Sequence, residues 1–166
     1  MHCQDTVDPK GTWRESWFAL EKAYAEGRIL SLGFSNANVD ILNELSEIGT
    51  ILPHVIQNWS ELGNLDLFVR EWCEEHQIIY QPYASIRNIR FQSQQIRSVS
   101  QFLARKYNVT EYDVNLRFFL QTGASIIPRA SHYDHLENNL RKPFEWSLEK
   151  SEMEELGWKL PIHTEL

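Results

Sequence analysis

Short apolar runs alternate with longer amphipathic ones along most of the chain. This rhythm restricts the folds open to it more than any other feature. The runs ILSLGF (29–34), HVIQNW (54–59), IIYQPYAS (78–85) and ASIIP (124–128) read as strands. Between them lie helical patterns. Thr12 opens one, with Glu15 three residues later as a capping box. Trp13, Trp17, Leu20 and Tyr24 then share a face, and Gly27 ends it. A second helix spans 39–48, with Leu42 and Leu45 inward and Gly49 after it. A third spans 65–76 and buries Leu65, Phe68, Val69 and Trp72. A fourth spans 94–107, with Ile96, Val99, Leu103 and Tyr107 inward. Thr110 and Asp113 start a fifth that runs to Thr122-Gly123; shorter helices follow at 133–140 and 148–156. Strands alternating with helices in this way mean repeated βα units and a parallel sheet. The expected organisation is a single domain over residues 1–166, without a low-complexity linker.

Ligands of parallel α/β folds sit at the C-terminal ends of the strands. Each strand-like run here ends in polar or reactive groups: Ser35-Asn36, Gln57-Asn58, Tyr83-Ala84-Ser85, and Arg129 after Pro128. A strand buried on both faces has no need of such groups along its length. Placed at successive strand ends, they would ring one mouth with hydrogen-bonding groups and a cation. Plainer readings stand beside this one. Ser35 and Asn36 are good helix N-caps, Gln57 could satisfy buried backbone, Tyr83 could be core, and Arg129 could lie on the surface.

The 166 residues carry a formal charge of -7, with no clustered stripe of Lys and Arg. That balance argues against nucleic acid and anionic membrane surfaces as partners. No apolar run approaches the roughly 20 residues of a membrane helix, and the opening MHCQDTVDPK has no signal-like apolar core. Two cysteines, Cys3 and Cys73, do not make a disulfide framework; they read as free thiols, and the expected location is the cytosol.

From Thr12 onward the chain resembles the C-terminal half of the aldo-keto reductase superfamily. The stretches that carry the resemblance are ALEKAYAEGRILSLGFSN, PHVIQNW, CEEHQIIYQPYAS, ARKYNVTEYDVNLRFFLQTGASIIPRA and HLENN with FEWSLEKSEMEEL, in this order and register. The resemblance implies a (β/α)8 TIM barrel that uses NADP(H), or in some members NAD(H), to interconvert carbonyls and alcohols. The chain would then be a partial barrel of about four βα units plus C-terminal helices, lacking the N-terminal half. Ser35, Asn36 and Gln57 are similar to the residues that hold the nicotinamide carboxamide. Tyr83 is similar to the ring on which the nicotinamide stacks, Arg129 to the basic residue near the 2′-phosphate, and Asn139 to the adenine-contacting asparagine. An amide and a hydroxyl satisfy a carboxamide, and a guanidinium matches a phosphate. Departures fall mainly at the adenosine end. Ala84 and Ala130 stand where serines are common, His135 where a second arginine is frequent, and Asn138 where a glutamate is usual.

The family's catalytic tetrad joins an aspartate, a tyrosine, a lysine and a histidine. The tyrosine donates the proton, the lysine and aspartate lower its pKa, and the histidine orients the carbonyl. Only the histidine has a counterpart here, His2, against the plainer reading of a frayed residue near the start. A whole barrel of this class runs to about 250 residues. Four parallel strands alone would leave open edges and an uncovered apolar face, suited to a partner chain or self-association. Two expectations follow. One is an oxidoreductase domain for a small carbonyl or alcohol substrate, weak or inactive as this isolated chain. The other is a non-catalytic module that completes its barrel with a partner.

Other chemistry is poorly supported. His132, Asp134 and His135 lack a further ligand cluster, so a solvated helix face is the better reading, and no metal is expected. His2 and Cys3 are adjacent and would point apart on a strand. The pairs Glu74-Glu75 and Glu154-Glu155 read as solvated. There is no glycine-rich phosphate loop and no G-x-S-x-G elbow. Trp59, at a strand end, is expected in core or loop packing rather than as a pocket wall.

Overall fold

Thr12 caps the first helix as its sequence demands. Its hydroxyl accepts from Glu15 N, and the Glu15 carboxylate accepts from Thr12 N at 2.7 Å. The computed structural model describes residues 12–159. His2 and Cys3 therefore lie outside the described residues. The elements in chain order are α1 (Trp13–Ala25), β1 (Gly33–Ser35), α2 (Val39–Ile48), β2 (Val55–Trp59), α3 (Leu67–Glu75) and β3 (Ile79–Tyr83). Then follow α4 (Gln94–Tyr107), α5 (Glu111–Gln121), α6 (Tyr133–Arg141) and α7 (Lys150–Glu155). Strand order in the sheet is β1-β2-β3, all parallel, with Gly33, Phe34 and Ser35 in register with Val55, Ile56 and Gln57.

The chain divides into two compact units. The first holds the described residues up to Asn58 together with Leu67–Gln81; the second holds Trp59–Asp66 and the described residues from Pro82 onward. In the first unit, the stripe of α1 delivers Trp13 and Trp17 against Phe34, with ring centroids 5.5 and 6.1 Å away. Leu42 and Leu45 from α2, Ile56 from β2, and Val69, Trp72 and Cys73 from α3 complete the apolar interior. Glu21 is buried among them. Its Oε1 accepts from Trp17 Nε1, Thr50 N and Ile51 N at 3.2, 2.7 and 2.8 Å. One carboxylate thereby satisfies three donors and fixes the turn that leads into β2. A side chain on Gly49 would meet Leu45 O at 2.8 Å, so this turn admits only a glycine without a shift.

In the second unit, α5 is buried almost all round, through Val114, Asn115, Leu116, Phe118, Phe119 and Leu120. A helix covered on every side is the centre of its core. α4 packs along it, and Trp158 meets Phe118 edge-on at 6.1 Å. Glu152 of α7 ties the tail to α4. It accepts from Lys106 Nζ at 2.8 Å, Tyr107 OH at 2.6 Å and Glu149 N at 2.7 Å. Burial by itself pushes the Glu152 carboxyl up, but these donors outweigh it and hold the group below the ordinary range.

Several expectations are corrected by the structure. The run 124–128 joins no sheet among the described residues, so three strands stand where four were expected. Apolar composition makes a strand only when a neighbour supplies the ladder, and Pro128 also withdraws a donor. β1 is three residues rather than six, and Leu30 is 88% exposed. Phe68, expected inward, is 79% exposed, because the buried stripe of α3 is centred on Val69, Trp72 and Cys73. Trp59, expected in core or loop packing, is 44% exposed and so lies outside the core.

Because the folded-state pKa of Glu152 is lowered, its stabilising effect is complete above the ordinary glutamate value, about 4.3, and fades as pH falls below it. We expect Glu152→Gln to lower unfolding free energy at pH 7 by about 1–3 kcal/mol, and the gap to wild type to narrow at pH 3. Urea unfolding at both pH values checks this.

Candidate functional site

β1 and β2 present their polar tips side by side. Ser35 ends β1 and is buried; its Oγ donates to Gln57 O at 2.8 Å across the ladder. The next residue, Asn36, donates its backbone N–H to the same carbonyl at 3.1 Å. Asn36 has φ 58°, in the left-handed region that asparagine tolerates better than most residues. Gln57 Nε2 donates to Gln81 Oε1 at 2.7 Å. Gln57 Oε1 accepts no hydrogen bond among the described residues. The tip thus holds a hydroxyl whose proton is committed while its lone pairs remain, and a half-buried amide with a free acceptor. Both open groups are acceptors, suited to the N–H groups of a planar carboxamide.

Gln81 escaped the sequence reading as a functional residue, and Asn58 appeared there only as a polar group at a strand end. Asn58, 6% exposed, accepts from Ala37 N at 3.0 Å and donates to Ala37 O at 2.7 Å. This clamp fixes the turn after Asn36. Gln81 orients the Gln57 amide. In sequence, both are ordinary polar residues in strands. Only strand alternation, which turns Asn58 to the side opposite Gln57, gives a signal, and its partner lies 21 residues away.

In the second unit, Tyr83 ends β3 half-buried, and its carbonyl accepts from Ser60 N at 3.3 Å. Ala84 follows at φ 59°. An alanine in this conformation is strained by about 1–2 kcal/mol. Such strain persists only where the surroundings over-determine the backbone, and it clusters at ligand sites.

Arg129 and Asn139 come together. Both line a recess of about 390 Å³, with Ile86, Tyr112, His135 and Asn138 among the other walls. Arg129 reaches it from the extended segment before α6, and the other three polar groups from the first two turns of α6. The side chains of Arg129, Asn138 and Asn139 make no hydrogen bond or ion pair among the described residues. Asp113 lines the recess too, but its Oδ2 accepts from Thr110 N and Oγ1 at 2.8 and 2.7 Å, committing it to the cap of α5. The open groups are therefore one guanidinium, one imidazole and two amides, a set suited to an anion and a heterocycle edge. His132 and His135 meet edge-on at 5.4 Å. Among the described residues, no group of three His, Cys, Asp or Glu is placed to hold a metal, and no helix is long and apolar enough to cross a membrane.

Parallel strands with helices between them and polar groups at their tips put the chain in the α/β class, as an open sheet consistent with part of a (β/α)8 barrel. The chain belongs to the aldo/keto reductase family, whose model matches residues 1–157. An uncharacterized oxidoreductase of Schizosaccharomyces pombe is 34% identical over 141 residues, covering 84% of this chain and 49% of that protein. Glyoxal reductase of Bacillus subtilis is 26% identical over 147 residues, covering 89% and 52%. A solved aldo-keto reductase of Bombyx mori in complex with NADP superposes with a TM-score of 0.82 at 20% identity, covering 94% of this chain and 54% of that one. The chain spans about half the length of the curated relatives it matches.

The strain at Ala84 gives a direct test of the turn after β3. We expect Ala84→Gly to stabilise the second unit by about 1 kcal/mol, read as a higher urea midpoint with unchanged slope. A neutral or destabilising result would show that the left-handed backbone is not the strained element.

Proposed function

We propose that the chain is the cofactor-facing part of an NADP(H)-dependent oxidoreductase acting on a small aldehyde or ketone, or on the corresponding alcohol. The observation that carries this reading is the meeting of Arg129, His135, Asn138 and Asn139 at one recess, with no partners among the described residues for the guanidinium or the amides. These are the positions the family resemblance assigns to the adenosine end of the cofactor. When bound, NADPH supplies the hydride that reduces a carbonyl carbon.

The residues present fit the group. Arg129 would meet the 2′-phosphate, assisted by His135 when protonated, and Asn139 would meet the adenine. Ser35 and Gln57 would hold the carboxamide, with Asn36 at the same strand tip. Tyr83 would offer a flat face that keeps water from one side of the nicotinamide. His135 in place of a second arginine makes the phosphate grip weaker than two guanidiniums would give, so NADP(H) is favoured over NAD(H) by one permanent charge.

None of the 166 residues matches the family's proton-donating tyrosine or its lysine and aspartate partners. His2, the tetrad histidine by resemblance, lies outside the described residues. We therefore propose that this chain alone reduces carbonyls slowly or not at all. A second reading rests on the apolar side chains left in solvent, among them Phe91 at 86%, Tyr133 at 76% and Leu140 at 68% exposed. In that reading the chain is a non-catalytic module that pairs with another chain or with itself.

Titration with NADPH, followed by the fluorescence of the six tryptophans, separates the two. The oxidoreductase reading expects saturable quenching. Arg129→Ala should weaken NADPH by about 10- to 100-fold, the worth of one charge-assisted hydrogen bond, while changing NADH less than about threefold. No NADPH binding, together with concentration-dependent association in sedimentation, would favour the interaction module. Turnover of carbonyls by the purified chain at about 1 per second or faster would overturn the proposed inactivity.

A further inference from the structure

Arg97 and Arg105 stand two helical turns apart on α4, about 12 Å along the axis at 1.5 Å per residue. Both line an open recess of about 810 Å³. Arg90, from the single turn Ile89–Phe91, reaches the same recess, as do Gln101 and the start of α5. The side chains of all three arginines lack an ion pair or hydrogen bond among the described residues, whereas Lys106 and Arg141 sit 2.8 and 3.4 Å from carboxylates. Arg97 adds a second observation. Its Nε is shut off from solvent with no hydrogen-bond partner among the described residues. A buried charged donor left unmet is unfavourable, unless something from outside the chain meets it.

The chain as a whole is acidic, at -7. Three unpaired guanidiniums round one recess are a local reversal of that field. Guanidinium forks match phosphate oxygens in pairs, and no other side chain does so as well. A separation of about 12 Å between two of them suits a ligand with more than one anionic group, since each fork can then take its own phosphate. Glu111 is the acid on the same recess and opposes binding. Thr110 and Tyr112 line both this recess and the one that holds Arg129, so the two are neighbours.

We propose that Arg90, Arg97 and Arg105 form a second anion site, which takes a small soluble molecule bearing two or more phosphate groups. The site is separate from the recess of Arg129 and does not depend on the reading of that recess as a nucleotide site. Because it is an outer recess rather than a reaction centre, its occupant would act as an effector or as an additional ligand.

The test uses the full chain and inorganic pyrophosphate, with orthophosphate as the weaker comparison, by titration calorimetry in low salt. We expect saturable pyrophosphate binding that is at least about tenfold tighter than orthophosphate and that weakens with added salt. The double variant Arg97→Gln/Arg105→Gln should lose at least about tenfold in affinity, with its far-UV circular dichroism unchanged. Glu111→Gln should bind several-fold more tightly, a gain that misfolding cannot imitate. Arg129→Gln should leave pyrophosphate binding within about twofold. Loss of binding in Arg129→Gln but not in the double variant would overturn the proposal and place the anion in the neighbouring recess. So would the absence of saturable heat, or equal affinity for orthophosphate. NADPH titration of the double variant keeps the two readings apart: unchanged NADPH affinity is expected even if pyrophosphate binding is lost.

Discussion

The parallel ladder between β1 and β2 is the contact on which the candidate site depends. It is only three residues long on the β1 side, Gly33 to Ser35. A ladder so short contributes little by itself, and its register would slip if nothing else held it. Three additions fix it. The hydroxyl of Ser35 and the backbone N–H of Asn36 both reach Gln57 O. Upstream, Leu32 N donates to His54 Nδ1 at 2.9 Å and His54 N donates to Leu32 O at 2.8 Å. Downstream, Asn58 grips both polar groups of Ala37. The same polar groups that would meet a carboxamide therefore also hold the strand tips in register. Under the proposed function, stability and cofactor binding would draw on one set of atoms, so substitutions at Ser35 would act on both.

Each unit also contains a buried carboxylate that gathers donors from distant parts of the chain. Glu21 ties α1 to the turn after α2, and Glu152 ties α7 to the end of α4. In both cases the cost of desolvating a charge is offset by several hydrogen bonds to it rather than by one ion pair. Lys106 shows the reciprocal effect. The carboxylates of Glu149 and Glu152 hold its ammonium well above the ordinary lysine range. These are local fastenings of helix ends; among the described residues, the arginines round the two recesses form no ion pair.

What the sequence made legible was whatever is decided within a few residues. The capping boxes Thr12–Glu15 and Thr110–Asp113 form as their spacing demands, and α2 and α4 begin and end where cap and periodicity put them. Of the strand ends, Trp59 falls where the run 54–59 put it, while the run 29–34 closes one residue later at Ser35 and the run 78–85 two residues earlier at Tyr83. What failed was decided by a partner elsewhere in the chain. The run 124–128 has a strand's composition and no ladder in the sheet. Phe68 has an apolar side chain four residues before Trp72, yet it lies in α3 on the side away from the buried Val69, Trp72 and Cys73. The clamp of Asn58 could not be read at all, because an asparagine in an apolar run says nothing about a backbone 21 residues away. Family resemblance pointed to Arg129 and Asn139 one at a time; only the fold of α6 against the preceding segment shows them sharing a recess.

The positive-φ residues after β1 and β3 show how backbone and ligand chemistry are coupled. Asn36 and Ala84 adopt nearly the same conformation, φ 58° and 59°. Asparagine relieves part of the strain through its short polar side chain, and alanine has no such means. A glycine would remove the strain at Ala84 but would leave the turn freer in the unfolded chain and less firmly set in the folded one. The left-handed turn sends the chain sharply away from the strand, so that the side chain at the tip, Tyr83, is not followed by a continuing ladder that would cover it. A strand end that must present a flat ring to a ligand needs such a break. The strain at Ala84 is the energetic counterpart of that turn, and under the proposed function it would leave this tip open to contact with a ligand.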